Sequence, residues 1–540
     1  MISSDLILFN GRIRTMNKEP FWVEAIAIKG DKIISIGKSD EILSGFRGKT
    51  TKLINLEGKY AMPGFIDSHV HFLSGGLALL EIDLTGKNSI QEIQEEVKKR
   101  VMKSKKGEWI KGYGWNHNLF PERKWPIKED LDQVASENPV ILKRVCGHTA
   151  WVNSLALELA KINRDTPQPQ GGFIEKNKKG ELTGVLKEKA IEIVERIIPL
   201  PTKEKTKKAI QLALKKAKEF GVTSVHDMPS SLPSKIFLGL EIYEDLYNEK
   251  KLTLRIYKAA DFSQDLTQIL EFKERFKNLD SKFIKFGPLK GFIDGSLGSS
   301  TAALFEPYAD NPLNKGMIVI SKKELIERIV TFDENKFQLA LHAIGDKAID
   351  LALEGFREAF KRNVRFDSRH RIEHAQVIRC RNLEEFACLK IIPSMQPAHA
   401  ISDMEWVERK LGSERVKMAY PWRSFLEKKI VLAFGSDWPV ESLNPMKGVY
   451  AALTRQSENG LPEKGWIPEQ KISLNEALWA YTIGSTYASF DERIKGSIKP
   501  GKLADIVILS KNLYEIPSKE ILDTEVVMTI LGGKIIYKKD

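Results

Sequence analysis

Cysteine is scarce in this chain. Cys146, Cys380 and Cys388 are the only three in 540 residues and form neither a CxxC pair nor an even set, which argues against a disulfide framework and against a thiolate zinc site. Long apolar runs are missing too. None approaches the roughly 20 residues that span a bilayer, and Met1 to Met16 holds no basic segment followed by an apolar stretch. A cytoplasmic protein without membrane partners is the expectation. The glycine- and serine-rich stretch Gly291 to Ser300 lacks both GxxxxGK[ST] and GxGxxG, so no nucleotide-phosphate cradle is expected. Acidic residues are outnumbered, 72 against 84 Lys and Arg, for a formal charge of +12. The excess lies in runs such as Glu95 to Lys106 and Thr202 to Lys218 that alternate with apolar residues, which marks solvated helix faces rather than a nucleic-acid partner.

What is present is a globular composition, 42% hydrophobic, and enough length for a large core with accessory elements. Residues 5 to 60 alternate apolar and polar positions between Asn-Gly, Gly-Asp and Glu-Gly turn signals, as antiparallel hairpins do. Ala504 to Leu509, Val526 to Leu531 and Lys534 to Tyr537 repeat that pattern at the far end. Neither set can bury a core alone, so residues 1–60 with 495–540 are expected to pair into one composite β-sandwich domain. Between them, at 61–494, eight short apolar runs are separated by helical patterns: Ala61 to Ser68, Gly221 to Asp227, Leu252 to Ala259, Ile284 to Asp294, Gln338 to Ile344, Arg369 to His374, Ile391 to Gln396 and Ile430 to Ser436. This alternation predicts an α/β fold, a (β/α)8 TIM barrel. The first gap is too long for one crossover, so 74–215 is an insertion after the first barrel strand, expected to act as a lid or specificity region.

Nine histidines occur, most of them at the ends of strand-like runs. His69 and His71 are alternate residues of one strand, so both imidazoles point the same way and can reach one metal ion. Collecting strand ends adds Lys290, His342, His374 and Asp437, and the carboxyl ends of barrel strands are where such folds place their chemistry. Neutral imidazoles and a carboxylate without thiolate suit a catalytic divalent ion, zinc foremost. His370, four residues before His374, lies nearer the amino end and is expected to be structural.

At these residues the chain resembles the amidohydrolase superfamily, from Met62-Pro63-Gly64-Phe65-Ile66-Asp67-Ser68-His69-Val70-His71 to Gly501-Lys502-Leu503-Ala504-Asp505. Within it, Gly147-His148-Thr149-Ala150-Trp151, Asp294-Gly295-Ser296, Leu341-His342-Ala343-Ile344-Gly345-Asp346 and Arg371-Ile372-Glu373-His374 are similar to the branch that contains N-substituted formamide deformylases. The resemblance implies metal ligation by His69, His71, His342, His374 and Asp437. It also implies a carboxylated Lys290 bridging two ions, with a one-metal site as the alternative. Lys285 is the rival for that position, but Lys290 stands four residues before Asp294 as the motif requires. Asp437 is the expected general base.

Trp115, His148, His226 and His399 are further candidates for substrate binding, and Asp294 and Arg371 for orienting ligands; Trp151 is a second candidate for a pocket wall. The expected function is hydrolysis of an amide-type C–N bond of a small molecule by a metal-activated hydroxide. A deaminase is the nearest alternative, disfavoured because no glutamate stands three residues after His342. A noncatalytic regulator that kept the fold is a further alternative. A homo-oligomer is compatible with the sequence.

Overall fold

The computed structural model describes residues 3–121, 124–144, 149–169, 172–229 and 236–539. The chain divides into two compact units, Gly76–Ala209 and a larger one made of Met1–Gly75 with Ile210–Asp540. Among the described residues no helix is long and apolar enough to cross a membrane.

In the larger unit eight strands form one sheet whose spatial order follows the chain: Phe65–Val70, Val222–Asp227, Arg255–Asp261, Ile284–Phe292, Leu339–Ala343, Arg371–His374, Ile392–Met395 and Ala433–Phe434. They are called barrel strands 1 to 8 below. Each successive pair is parallel, and helices return the chain between them. The helix Asp346–Asn363 shows why: Ala348, Ile349, Ala352, Leu353, Phe356 and Ala359 recur at three- and four-residue spacing and bury one face. Parallel strands joined by covering helices are a (β/α)8 barrel. Strands 8 and 1 meet just past strand 8, where the Asp437 N–H donates to His69 O at 2.7 Å and the His71 N–H to Trp438 O at 2.9 Å. The residues that close the barrel are those singled out for its chemistry.

The same unit carries two further sheets. One has Lys32–Gly37, Ala25–Lys29, Leu6–Phe9 and Lys52–Asn55 in spatial order, and the other runs Lys534–Lys538, Val526–Leu531, Ile506–Leu509, Tyr60–Pro63, Arg12–Arg14 and Trp22–Val23. Alternation sends Leu6, Leu8, Ile26 and Ile28 of the first and Ile506, Ile508, Met528 and Ile530 of the second into one core. The apolar run from Ala61 to Ser68 is therefore two strands rather than one. Tyr60–Pro63 pairs antiparallel with Ile506–Leu509, and barrel strand 1 starts at Phe65, after Gly64, where a Cβ would stand 2.3 Å from Thr223 Cγ2.

The smaller unit is built on a six-stranded sheet in the order Gly172–Lys176, Leu182–Glu188, Thr149–Val152, Val140–Arg144, Ile110–Trp115, Ile82–Asp83. Its faces bury separate cores: Val140, Leu142 and Trp151 on one side, Ile141, Ala150 and Val152 on the other. That is the period-two pattern of a sheet covered on both faces.

Candidate metal centre

Barrel strand 1 is buried along its whole length. Its Asp67 accepts the N–H of His69 at 3.1 Å and that of Ser436 at 2.9 Å, which ties the strand to the turn that presents Asp437. Two residues of the site hold left-handed backbone, Asp437 at φ +58° and His374 at φ +72°. Such strain on a bulky side chain persists only where its surroundings over-determine it, which is a property of functional sites.

The imidazoles converge on Asp437. Its Oδ1 lies 3.4 Å from His69 Nε2 and 3.3 Å from His71 Nε2, and its Oδ2 lies 3.7 Å from His399 Nε2. One nitrogen each of His69 and His374 and one oxygen of Asp437 all fall within 4.8 Å of one another. His342 is next to them, its ring centroid 4.6 Å from that of His374. Lys290 Nζ is buried and sits 4.3 Å above the Phe292 ring.

Each imidazole has one ring nitrogen already committed. His69 Nδ1 donates to Glu373 Oε2 at 2.5 Å, His71 Nδ1 to Pro229 O at 3.0 Å and His374 Nδ1 to Gln396 Oε1 at 2.8 Å. His342 is reversed: its Nε2 donates to Gly295 O at 3.0 Å. An oxygen acceptor on one nitrogen fixes the tautomer and leaves the other with a lone pair, the usual dressing of a metal-binding histidine. Burial, then the charge of Lys290, lowers His69 to a pKa of about 4 and His342 to about 3. Burial also holds His374 well below its ordinary value. These imidazoles are neutral at physiological pH. Asp437 is ionised: burial pushes its carboxyl up, but hydrogen bonding to His71 and the neighbouring histidines hold it well below the usual carboxylate range.

Among the described residues, His69 Nε2, Asp437 Oδ1, His399 Nε2 and Lys290 Nζ are buried and find no hydrogen-bond partner. Leaving one such group unsatisfied costs ~1–3 kcal/mol. A divalent cation satisfies His69 Nε2 and Asp437 Oδ1 together, and the oxygen and nitrogen donor set suits zinc or a related borderline ion. Lys290 fits beside a cation only without its ammonium charge. Burial lowers it to about 8, which brings the neutral amine within reach at physiological pH as a minor fraction.

Other expected residues fall differently. Asp294 accepts the N–H groups of Ala303, Ile344 and Gly345 at 2.8 to 3.0 Å, which pins the loop whose Gly295 carbonyl holds His342. Arg371 is fully buried and reaches Ser68 O at 2.6 Å, Ser394 Oγ at 2.8 Å and His226 Nδ1 at 2.8 Å. His226 is thereby corrected from substrate contact to a buried partner of Arg371, its ring 5.1 Å from that of Tyr257. Trp115 is corrected as well. It is fully buried in the core of the smaller unit, with Nε1 bonded to Leu142 O at 2.8 Å, and Trp151 packs edge-on against it. His148 lies outside the described residues.

His370 is structural, bonded to Asp333 at 3.0 Å and stacked on Phe356. Lys285 pairs with Asp491 at 2.7 Å. Sequence reasoning missed Glu373, Asp67 and the half-exposed Phe292, whose ring lies 5.1 Å from that of His342. The signal for Glu373 was an acidic residue two positions after Arg371 in a strand whose every position is buried.

An eight-stranded α/β barrel with neutral imidazoles and a carboxylate gathered at its strand ends is the arrangement of a metal-dependent hydrolase. A model of the amidohydrolase family matches residues 52–537, and the chain belongs to that family. It is 37% identical to Protein LONG AFTER FAR-RED 3 of Arabidopsis thaliana, over 99% of this chain and 92% of that protein. It is 27% identical to an N-substituted formamide deformylase of Arthrobacter pascens, over 99% of this chain and 98% of that protein. A solved structure of an uncharacterized metal-dependent hydrolase from Pyrococcus horikoshii superposes with a TM-score of 0.77 at 30% identity, covering 95% of this chain and 99% of that one.

Proposed function

We propose that this chain hydrolyses a non-peptide, amide-type C–N bond of a small molecule, with an N-substituted formamide or related amide as the substrate class. The observation that carries the reading is the convergence of four histidines on Asp437 beside buried Lys290, each ring with its other nitrogen already committed. The residues that would hold metal are His69, His71, His342, His374 and Asp437, joined by Lys290 as a carbamate formed from its neutral amine and CO₂. Zinc held there would acidify a water to a pKa of about 7 and polarise the substrate carbonyl.

The chain's own groups do the rest. Asp437, ionised and facing His69 and His71, takes the proton of the attacking water and returns it to the departing nitrogen, so that water and amide become acid and amine. His399 Nε2, 3.7 Å from Asp437 Oδ2, is placed to donate a hydrogen bond to the carbonyl oxygen as negative charge grows on it. Phe292 supplies an apolar wall beside His342 for the nitrogen substituent. The formamide choice extends to this chain the chemistry for which the Arthrobacter relative is named.

The test is to strip the protein of metal, reconstitute it with zinc, and screen N-formyl, N-acyl and cyclic amides while measuring amine and ammonia separately. Amine release that disappears on chelation is the expected result. Ammonia from an amidine or aminopurine would establish the deaminase alternative, and no metal-dependent turnover on any panel would overturn the reading.

A further inference from the structure

Barrel strands 1 and 6 are not neighbours; strands 7 and 8 lie between them. Their side chains nevertheless meet across the barrel interior, where Glu373 Oε2 accepts from His69 Nδ1 at 2.5 Å. Both side chains are fully buried. A carboxylate there needs a cation, and Arg371, two residues back on the same face of strand 6, provides it: Nε lies 2.7 Å from Oε1 and Nη2 3.1 Å from Oε2. Arg371 is in turn fastened to strand 1 through Ser68 O, to strand 2 through His226 and to strand 7 through Ser394. Glu373 therefore stands between a guanidinium anchored on three other strands and a single imidazole.

We propose that Glu373 is a positioning residue for the metal centre: it reaches across the barrel to hold His69 as the Nδ1–H tautomer, with the unprotonated Nε2 turned toward Asp437. The inference rests on the functional reading above and adds a residue to it. An ionised carboxylate can only accept, so it admits one tautomer and makes the ligand nitrogen more basic. A glutamine at 373 keeps the size, but its amide can also donate, which permits the tautomer that blocks Nε2.

Two measurements decide it. The first titrates metal-free wild-type, Glu373→Gln, His69→Ala and the double variant with Zn²⁺, and records the absorption of the Co²⁺ forms. Glu373→Gln is expected to bind zinc roughly 10- to 100-fold more weakly with an altered cobalt spectrum, and to have no further effect once His69 is alanine. Asp333→Asn, which disturbs the buried His370 pair away from the metal centre, is the control for stability: it should lower the melting temperature and leave zinc affinity unchanged.

Unchanged affinity in Glu373→Gln, or equal losses in the presence and absence of His69, would overturn the role of Glu373. Wild-type protein that takes up no metal would instead overturn the functional reading beneath it. The second measurement needs no variant at 373. ¹⁵N-histidine NMR of the metal-free protein, with His69 assigned by its absence in His69→Ala, should show the proton on Nδ1, and a proton on Nε2 contradicts the proposal.

Discussion

In the proposed chemistry Asp437 and Lys290 have different parts, so their replacements are expected to fail differently. Asp437→Asn removes the proton acceptor and a ligand charge while keeping size, so turnover is expected to fall by at least ~10²–10⁴-fold. Steady-state rates on whichever amide the wild type cleaves check this, and a loss under tenfold would remove Asp437 from the role of base. In the proposed centre Lys290 is the bridge that admits a second ion. Lys290→Ala should reduce bound zinc from two ions per chain to one by elemental analysis, and added short carboxylic acids should restore part of the second. Identical stoichiometry in variant and wild type would leave Lys290 a buried amine with no bridging role.

Residue identities at the strand ends were legible because few other pressures place histidine, lysine and aspartate after short apolar runs. Glu373 was harder, since an acidic residue beside histidine reads as solvated when its partner lies on a non-neighbouring strand. Trp115 and His226 were misplaced for a related reason. Reading along one chain shows that a residue ends or nears the end of a strand, but not whether a packed core or a buried guanidinium has already claimed its side chain.

At the scale of elements, the eight barrel strands fall on the runs that the hydrophobic pattern marked, with Phe65–Val70 and Arg255–Asp261 each ending two residues beyond them, because a parallel strand buried on both faces has little alternative to a short apolar block. Ala61 to Ser68 hid a change of sheet at Gly64, since both sheets ask for apolar residues and the break itself is one glycine. The seam between strands 8 and 1 makes a stricter demand. A Cβ at Gly435 would stand 2.6 Å from both Asp67 Oδ1 and His69 N, closer than atoms can pack. Gly435→Ala should therefore cost ~1–3 kcal/mol of stability and also weaken zinc binding, because the backbone it displaces carries Asp437. Thermal unfolding and zinc titration of the variant test this together, and a variant with wild-type stability and affinity would show that the seam is not tight.

The whole molecule stores this site at a cost that pH exposes. In the metal-free protein the buried His69, His226, His370 and His374 and the largely buried His342 are held below their ordinary pKa, in each case by desolvation first. Below pH ~6.5 the unfolded chain protonates them while the native state does not, so the unfolded state gains protons and stability falls as pH falls. Carboxyls raised by burial work in the opposite direction over the same range: Asp67 and Asp294 at about 7, Asp403 at about 6, and Asp346 and Asp130 above their ordinary value. The carboxylates of Asp333, Glu373, Asp437 and Asp491, held below their ordinary values, lose stability on acidification as the imidazoles do and tip the balance to their side. The melting temperature of the metal-free protein should drop between pH 7 and pH 5 by differential scanning calorimetry, and saturating zinc at pH 7 should raise it. A flat or rising melting temperature on acidification would mean that these imidazoles are not buried as neutral bases.

The central claim is that side chains distant in sequence surround one kind of cation at the carboxyl mouth of the barrel. An anomalous difference map, measured at the zinc edge from crystals of the zinc-loaded protein, tests it most directly. The strongest peak is expected within coordination distance of His69 Nε2, His71 Nε2 and Asp437, with any second peak toward His342 and His374. A map whose peaks lie only elsewhere, or none at all from protein shown to carry zinc, would contradict it.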